Sequence, residues 1–212
     1  MTVVFGAPIS PFVRKVRVAL AEKNVPYELK PVMPGSDDPE FAALSPFGKV
    51  PAFRDEHIGL ADSSVICAYI EKRHPTPALL PADPAAYATA LWLEEYADSK
   101  LFEVLTGGVF FERIVKGKIR GLPVDEAKVA AALAQLPSVC GYLEQQINAG
   151  ALGGSTLTLG DIAVATQFVN LQYAGEQLDV AAFPKLAQFL ARTLARPSFA
   201  DCLADERQIM HG

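Results

Sequence analysis

The residues of this chain with a capacity for chemistry are few, and the first is a serine at the head of a helix. Ser10 precedes Pro11 and the run Phe12-Val13-Arg14-Lys15-Val16, whose apolar residues recur at helical spacing. That places Ser10 at the N-cap and a proline at the first helical position. Two readings follow: the hydroxyl caps the helix, or it holds an anion together with the free backbone N–H groups and the positive end of the helix dipole. Arg14, Lys15 and Arg17 fall within the next two turns and would deepen that potential. Asp62-Ser63 stands in the same relation to a later helical stretch with Val65, Ile66, Tyr69 and Ile70 on one side, where either residue reads as a cap. Thr158 with Asp161 has the spacing of a capping box, which is structural.

Most other chemical signatures are missing. The chain has no glycine-rich phosphate loop, no His-Glu-x-x-His helix, no Gly-x-Ser-x-Gly elbow and no Cys-x-x-Cys pair. Its three histidines, His57, His74 and His211, do not suggest a triad, and His74 before Pro75 reads as the end of a helix. Glu94-Glu95 and Asp37-Asp38 are adjacent, so their carboxylates point apart. Side chains therefore supply little acid or base. Cys67, Cys140 and Cys202 are scattered, with neither metal-ligand spacing nor a disulfide framework, which suits a reducing compartment.

The elements that must position these residues alternate in type over about the first eighty residues. Thr2–Phe5 and Tyr27–Lys30 are β-branched or aromatic runs. Residues 50–54 and 57–60 read as two more strands around an Asp55-Glu56 turn, and helices are expected over 11–23, 39–44 and 63–72. The order βαβαββα implies an α/β domain, a mixed sheet covered by helices. Twelve of the 16 prolines lie at or before Pro84, and a Pro-rich stretch runs from His74 to Pro84. We therefore expect one domain over residues 1–78 and a second, all-helical one over 84–212. Its helices are expected from Pro84 to about 105, from 125 to about 147, and over 159–171, 184–194 and 198–207.

The net charge is −5, and the first part holds nine basic and nine acidic residues, so the whole excess belongs to the helical part. An acidic chain without a basic cluster does not suit nucleic acid. Nor does any segment reach the roughly 18 apolar residues needed to span a bilayer. A cytoplasmic protein is the expectation.

At this point the chain resembles a family. Ser10-Pro11-Phe12-Val13-Arg14-Lys15-Val16 is similar to the start of the first helix in serine-type cytosolic glutathione transferases, with Ser10 and Val13 where glutaredoxins carry cysteines. Lys49-Val50-Pro51 resembles the family's cis-proline loop. Asp62-Ser63 with Ile66 resembles the opening of its third helix, and Thr158/Asp161 the capping box of its helical domain. The resemblance implies a thioredoxin-like first domain, an all-helical second one, and glutathione as co-substrate, with no metal. Ser10 would stabilise the glutathione thiolate. Phe12, Lys49, Val50, Asp62 and Ser63 would bind the tripeptide, Val50 by its backbone if Pro51 is cis. Phe102, Leu105, Phe110 and Phe111 would wall the pocket for a small hydrophobic electrophile, although core packing explains the same residues. It further implies detoxification and a homodimer. Two rivals use the same fold: a non-catalytic interaction module, in which Ser10 is only a cap, and a glutathione-dependent isomerase or dehalogenase.

Overall fold

A computed structural model describes residues 1–211; Gly212, the last residue of the expected helical domain, lies outside them. β1 (Thr2–Phe5) is joined through helix α1 (Pro11–Glu22) to β2 (Tyr27–Lys30), and the two strands pair in parallel. After the short helix α2 (Pro39–Leu44), β3 (Ala52–Arg54) runs antiparallel to β1 on its other side. β4 (Gly59–Ala61) completes the order β2-β1-β3-β4, and α3 (Ser63–Arg73) follows. The central strand is the most deeply buried: Val3, Val4 and Phe5 have no exposed surface. On one face of the sheet Val3, Phe5 and Ala52 meet Phe41 of α2.

Two strands are shorter than expected, for local reasons. Pro51 has no N–H to donate to a ladder, and β3 begins just after it. The Asp55 carboxylate accepts from the N–H groups of His57 (2.8 Å) and Ile58 (3.0 Å), and the Asp55 N–H donates to the Ile58 carbonyl (3.0 Å). This turn takes His57 and Ile58 out of the strand.

The remaining helices are less regular than the sequence suggests. α4 (Pro84–Tyr96) runs directly into a π-helix, Ala97–Ile119, past the end expected near residue 105. Gly107-Gly108 does not stop it. A Cβ on Gly108 would lie 2.4 Å from the Ala132 Cβ, so this glycine permits a close approach to the next helix instead. The stretch expected as one helix from residue 125 to 147 is two, α5 (Glu126–Leu133) and α6 (Leu136–Asn148). Pro137 explains the break, since it offers no N–H and its ring would meet the carbonyl four residues back, at Leu133. In α7 (Leu159–Tyr173) every residue from Leu159 to Leu171 is buried, and α4, the π-helix and α8 (Pro184–Leu194) pack on it.

The last helix, α9 (Pro197–His211), belongs elsewhere. By Cα proximity the chain falls into two compact units: Met1–Leu80 together with the segment from Arg196 on, and Pro81–Ala195. The expected division placed everything after residue 84 in the helical part, but α9 packs on α1. Charges on α1 require it: Arg14, Arg17 and Glu22 find their counter-charges at Glu206, Asp205 and Arg196.

Candidate functional site

The register of the first unit gathers the expected binding residues at one end of the sheet. Phe5 pairs with Ala52, and Ala52 with Ala61. The residues just beyond these three positions are Gly6, Pro51 and Asp62, so the β1–α1 loop, the Val50-Pro51 peptide and the start of α3 emerge side by side. Gly6 makes this possible. A Cβ there would lie 2.4 Å from a Val13 methyl and 3.2 Å from the Val50 Cβ, so only glycine lets the loop lie between α1 and Val50.

Ser10 occupies the N-cap of α1 with extended backbone (φ −73°, ψ 128°), and Pro11 follows as the first helical residue. Its N–H donates to the Ala7 carbonyl (3.0 Å), and its carbonyl accepts from the Arg14 N–H (2.9 Å). Its hydroxyl, however, makes no capping hydrogen bond. The bland role for this serine is therefore not realised by its side chain. Phe12, on the first turn, is half-buried.

The Val50–Pro51 peptide is cis. Among the described residues the Val50 N–H and C=O have no backbone partner, so the strand-like groups before β3 are open to an extended ligand. Lys49 beside it is exposed, with its carbonyl held by the Ser45 hydroxyl at 2.7 Å.

Asp62, and not Ser63, caps α3. One carboxylate oxygen accepts from the N–H groups of Ser64 (3.0 Å) and Val65 (3.2 Å). The residue has φ 78° and ψ 126°, a backbone conformation that costs an L-residue energy and that the cap bonds help to hold. Ser63, the first residue of α3, is 4% exposed. A single oxygen of the Asp62 carboxylate thus serves both N–H groups of the helix.

The basic run on α1 plays a different part from the one expected. Arg14 and Glu206 are both fully buried and form a two-point pair, with Nε donating at 2.8 Å and Nη2 at 2.5 Å. Arg17 donates to Asp205 (2.5 Å) and to the Tyr27 hydroxyl (2.9 Å), and the Lys15 ammonium donates to the Ser64 hydroxyl (3.3 Å). Arg14 and Arg17 are neutralised in place and add no net positive charge at Ser10. Sequence reasoning missed the partners because they lie in the last helix; the signal available was the basic residue on the buried face of α1. Glu22 closes the far end of this helix pair. Burial pushes its carboxyl up, but hydrogen bonds from Arg196 and Ser198 outweigh that and hold it below the ordinary value of 4.5.

The thiols of the chain take no part. Cys67, Cys140 and Cys202 are buried, and burial pushes Cys140 up to about 12 and Cys202 up to about 11. Among the described residues no group of three metal-ligating side chains comes together. Of the residues expected to wall a second pocket, Leu105 and Phe110 are buried in the helical unit. Phe102 is half-buried, and Phe111 is exposed with Arg120 and Lys128 each 5.7 Å from its ring centroid.

Comparison with known proteins agrees with this arrangement. Residues 4–78 match the glutathione S-transferase N-terminal domain, and residues 126–192 match the C-terminal domain. A glutathione S-transferase of Hyoscyamus muticus is 30% identical over 205 residues, covering 93% of this chain and 95% of the relative. FtsZ-localized protein A of Caulobacter vibrioides is 28% identical, covering 93% and 89%. Among solved structures, a glutathione S-transferase from Rhodospirillum rubrum superposes with a TM-score of 0.87 at 29% identity, covering 96% of this chain and 92% of the other. With its thioredoxin-like sheet and helical second unit, the chain belongs to the glutathione S-transferase family.

Proposed function

We propose that this protein is a glutathione transferase that joins the glutathione sulfur to a small hydrophobic electrophile. The observation that carries the reading is the Ser10 hydroxyl, left without a capping bond at the sheet end where the Val50 backbone and Asp62-Ser63 also emerge. Glutathione presents two carboxylates, an ammonium, a peptide backbone and a thiol. Ser63 and its N–H take the γ-glutamyl carboxylate at the α3 N-terminus, and the Asp62 carboxylate takes the ammonium. Val50 pairs with the cysteinyl backbone, Lys49 meets the glycyl carboxylate, and Phe12 packs beside the thiol.

Ser10 then donates a hydrogen bond to the sulfur. A free thiol near 8.5 is a few per cent ionised at neutral pH; lowering it by about two units makes most of it thiolate, worth roughly 2.7 kcal/mol. Ser10 stabilises this anion and is not itself the nucleophile. The thiolate forms a carbon–sulfur bond as the electrophile expels its leaving group with the bonding pair. Phe102 and Phe111 are the members of the apolar set with surface to offer that substrate. Glutathione serves as co-substrate without a metal, and we place this detoxifying activity in the cytoplasm and in a homodimer.

The similarity to FtsZ-localized protein A keeps a second reading, an interaction module, in view. Two measurements separate them. The enzyme is retained on immobilised glutathione and conjugates an aromatic halide, and Ser10→Ala lowers turnover at saturating glutathione about a hundredfold with little change in affinity. Equal turnover in the two proteins sinks the role of Ser10, and a wild-type protein that ignores glutathione leaves the module. A panel of hydroperoxides and maleyl-type substrates distinguishes an isomerase or dehalogenase.

A further inference from the structure

The Ser10 hydroxyl has no capping bond to aim it, so its place depends on the Ser10 backbone. That backbone is tied to Arg14, whose N–H donates to the Ser10 carbonyl at 2.9 Å. Arg14 in turn is gripped at two points by Glu206, across 192 residues of sequence, with both side chains fully buried. A guanidinium held at Nε and Nη2 by one carboxylate cannot swing about its stem, so the grip fixes direction as well as distance. Two more ties join this helix pair: Arg17 with Asp205 one turn further along α1, and Glu22 with Arg196 and Ser198 at its opposite end.

We propose that Glu206 is a positioning residue for the thiolate site: through Arg14 it sets where the Ser10 hydroxyl stands. This rests on the function proposed above. Glu206 touches neither substrate nor sulfur. Its removal therefore shifts the ionisation of bound glutathione while sparing the affinity for the rest of the tripeptide.

The test follows the ultraviolet absorbance of the thiolate in the glutathione complex against pH, with the affinity for S-methylglutathione measured beside it. Two variants remove the grip: Glu206→Gln, and the double change Arg14→Met with Glu206→Leu, which removes both charges of the pair so that neither is left to face the other's absence. Glu22→Gln loosens the same helix pair at its far end. The expected result is a rise of about one unit in the thiol pKa, a tenfold change in the ionisation constant, for both variants at the grip. Affinity for S-methylglutathione stays within about twofold, and Glu22→Gln leaves the thiol unmoved. An unchanged thiol in the folded double variant overturns the proposal, as does an equal shift in Glu22→Gln, which would make α9 a general clamp. A wild-type complex with no thiolate absorbance overturns the transferase reading and this inference with it.

Discussion

At the start of α7 the Thr158 hydroxyl accepts from the Asp161 N–H (3.2 Å), while the Asp161 carboxylate accepts from the Thr158 N–H (2.7 Å), the Thr158 hydroxyl (2.8 Å) and the Gly153 N–H (2.7 Å). At the start of α1, by contrast, the Ser10 hydroxyl caps nothing. Both are hydroxyl residues at an N-cap, but three residues on, α7 carries Asp161 where α1 carries Val13. At the start of α7 the polar groups satisfy one another within eight residues of sequence. The sheet-bearing unit satisfies the charges of α1 through a distant helix and leaves hydroxyl and backbone groups open at one end of its sheet. A satisfied cap reads as structure and an unsatisfied one as a place for a ligand.

This contrast can be broken by mutation. Asp161→Ala strips three donors of their buried acceptor, and we expect a loss of roughly 2–4 kcal/mol in urea unfolding; a loss below about 1 kcal/mol would mean the box is ornamental. Thr158→Ala removes the two bonds of the Thr158 hydroxyl, keeps the two backbone N–H bonds to the Asp161 carboxylate, and is expected to cost about 1 kcal/mol, measured in the same way. Glu112 sharpens the comparison through pH. Hydrogen bonds from Lys116 and Lys128, with a third from the Asp125 N–H, hold its carboxyl down at about 2. Because the folded value lies below the ordinary 4.5, its contribution to stability is present above that pH and disappears as pH falls towards 2. Thermal melts of Glu112→Gln should therefore converge with wild type across that interval, and parallel curves would refute the assignment. The smallest effect belongs to Ser10→Ala, whose stability should stay within about 0.5 kcal/mol of wild type because no cap bond is lost. A larger drop would show that Ser10 is a cap after all.

Much of this was legible in the residues. The runs Thr2–Phe5 and Tyr27–Lys30 became strands with those bounds, and Pro39–Leu44 a helix, because local propensity and tertiary pairing agree there. The box at Thr158 formed as its spacing predicts. What escaped was decided at a distance. Nothing near Arg14 announces Glu206, and the apolar face of α9 does not say which unit it will join. Gly107-Gly108 reads as a terminator until the neighbouring Ala132 is known. The break at Pro137 was available locally, but the helical periodicity on either side concealed it. At the candidate site the types of Ser10 and Asp62 were informative; that Asp62 takes the cap and leaves Ser63 behind it depended on a backbone angle that sequence does not display.

The tie between Arg14 and Glu206 also joins the two sequence segments of a discontinuous unit. Its buried arginine is paired with a carboxylate 192 residues away, so no short-range contact closes this unit. The intervening stretch, Pro81–Ala195, forms a compact unit of its own. Contacts of such long sequence separation form slowly, so the sheet-bearing unit is expected to close later than the unit that lies between its two segments.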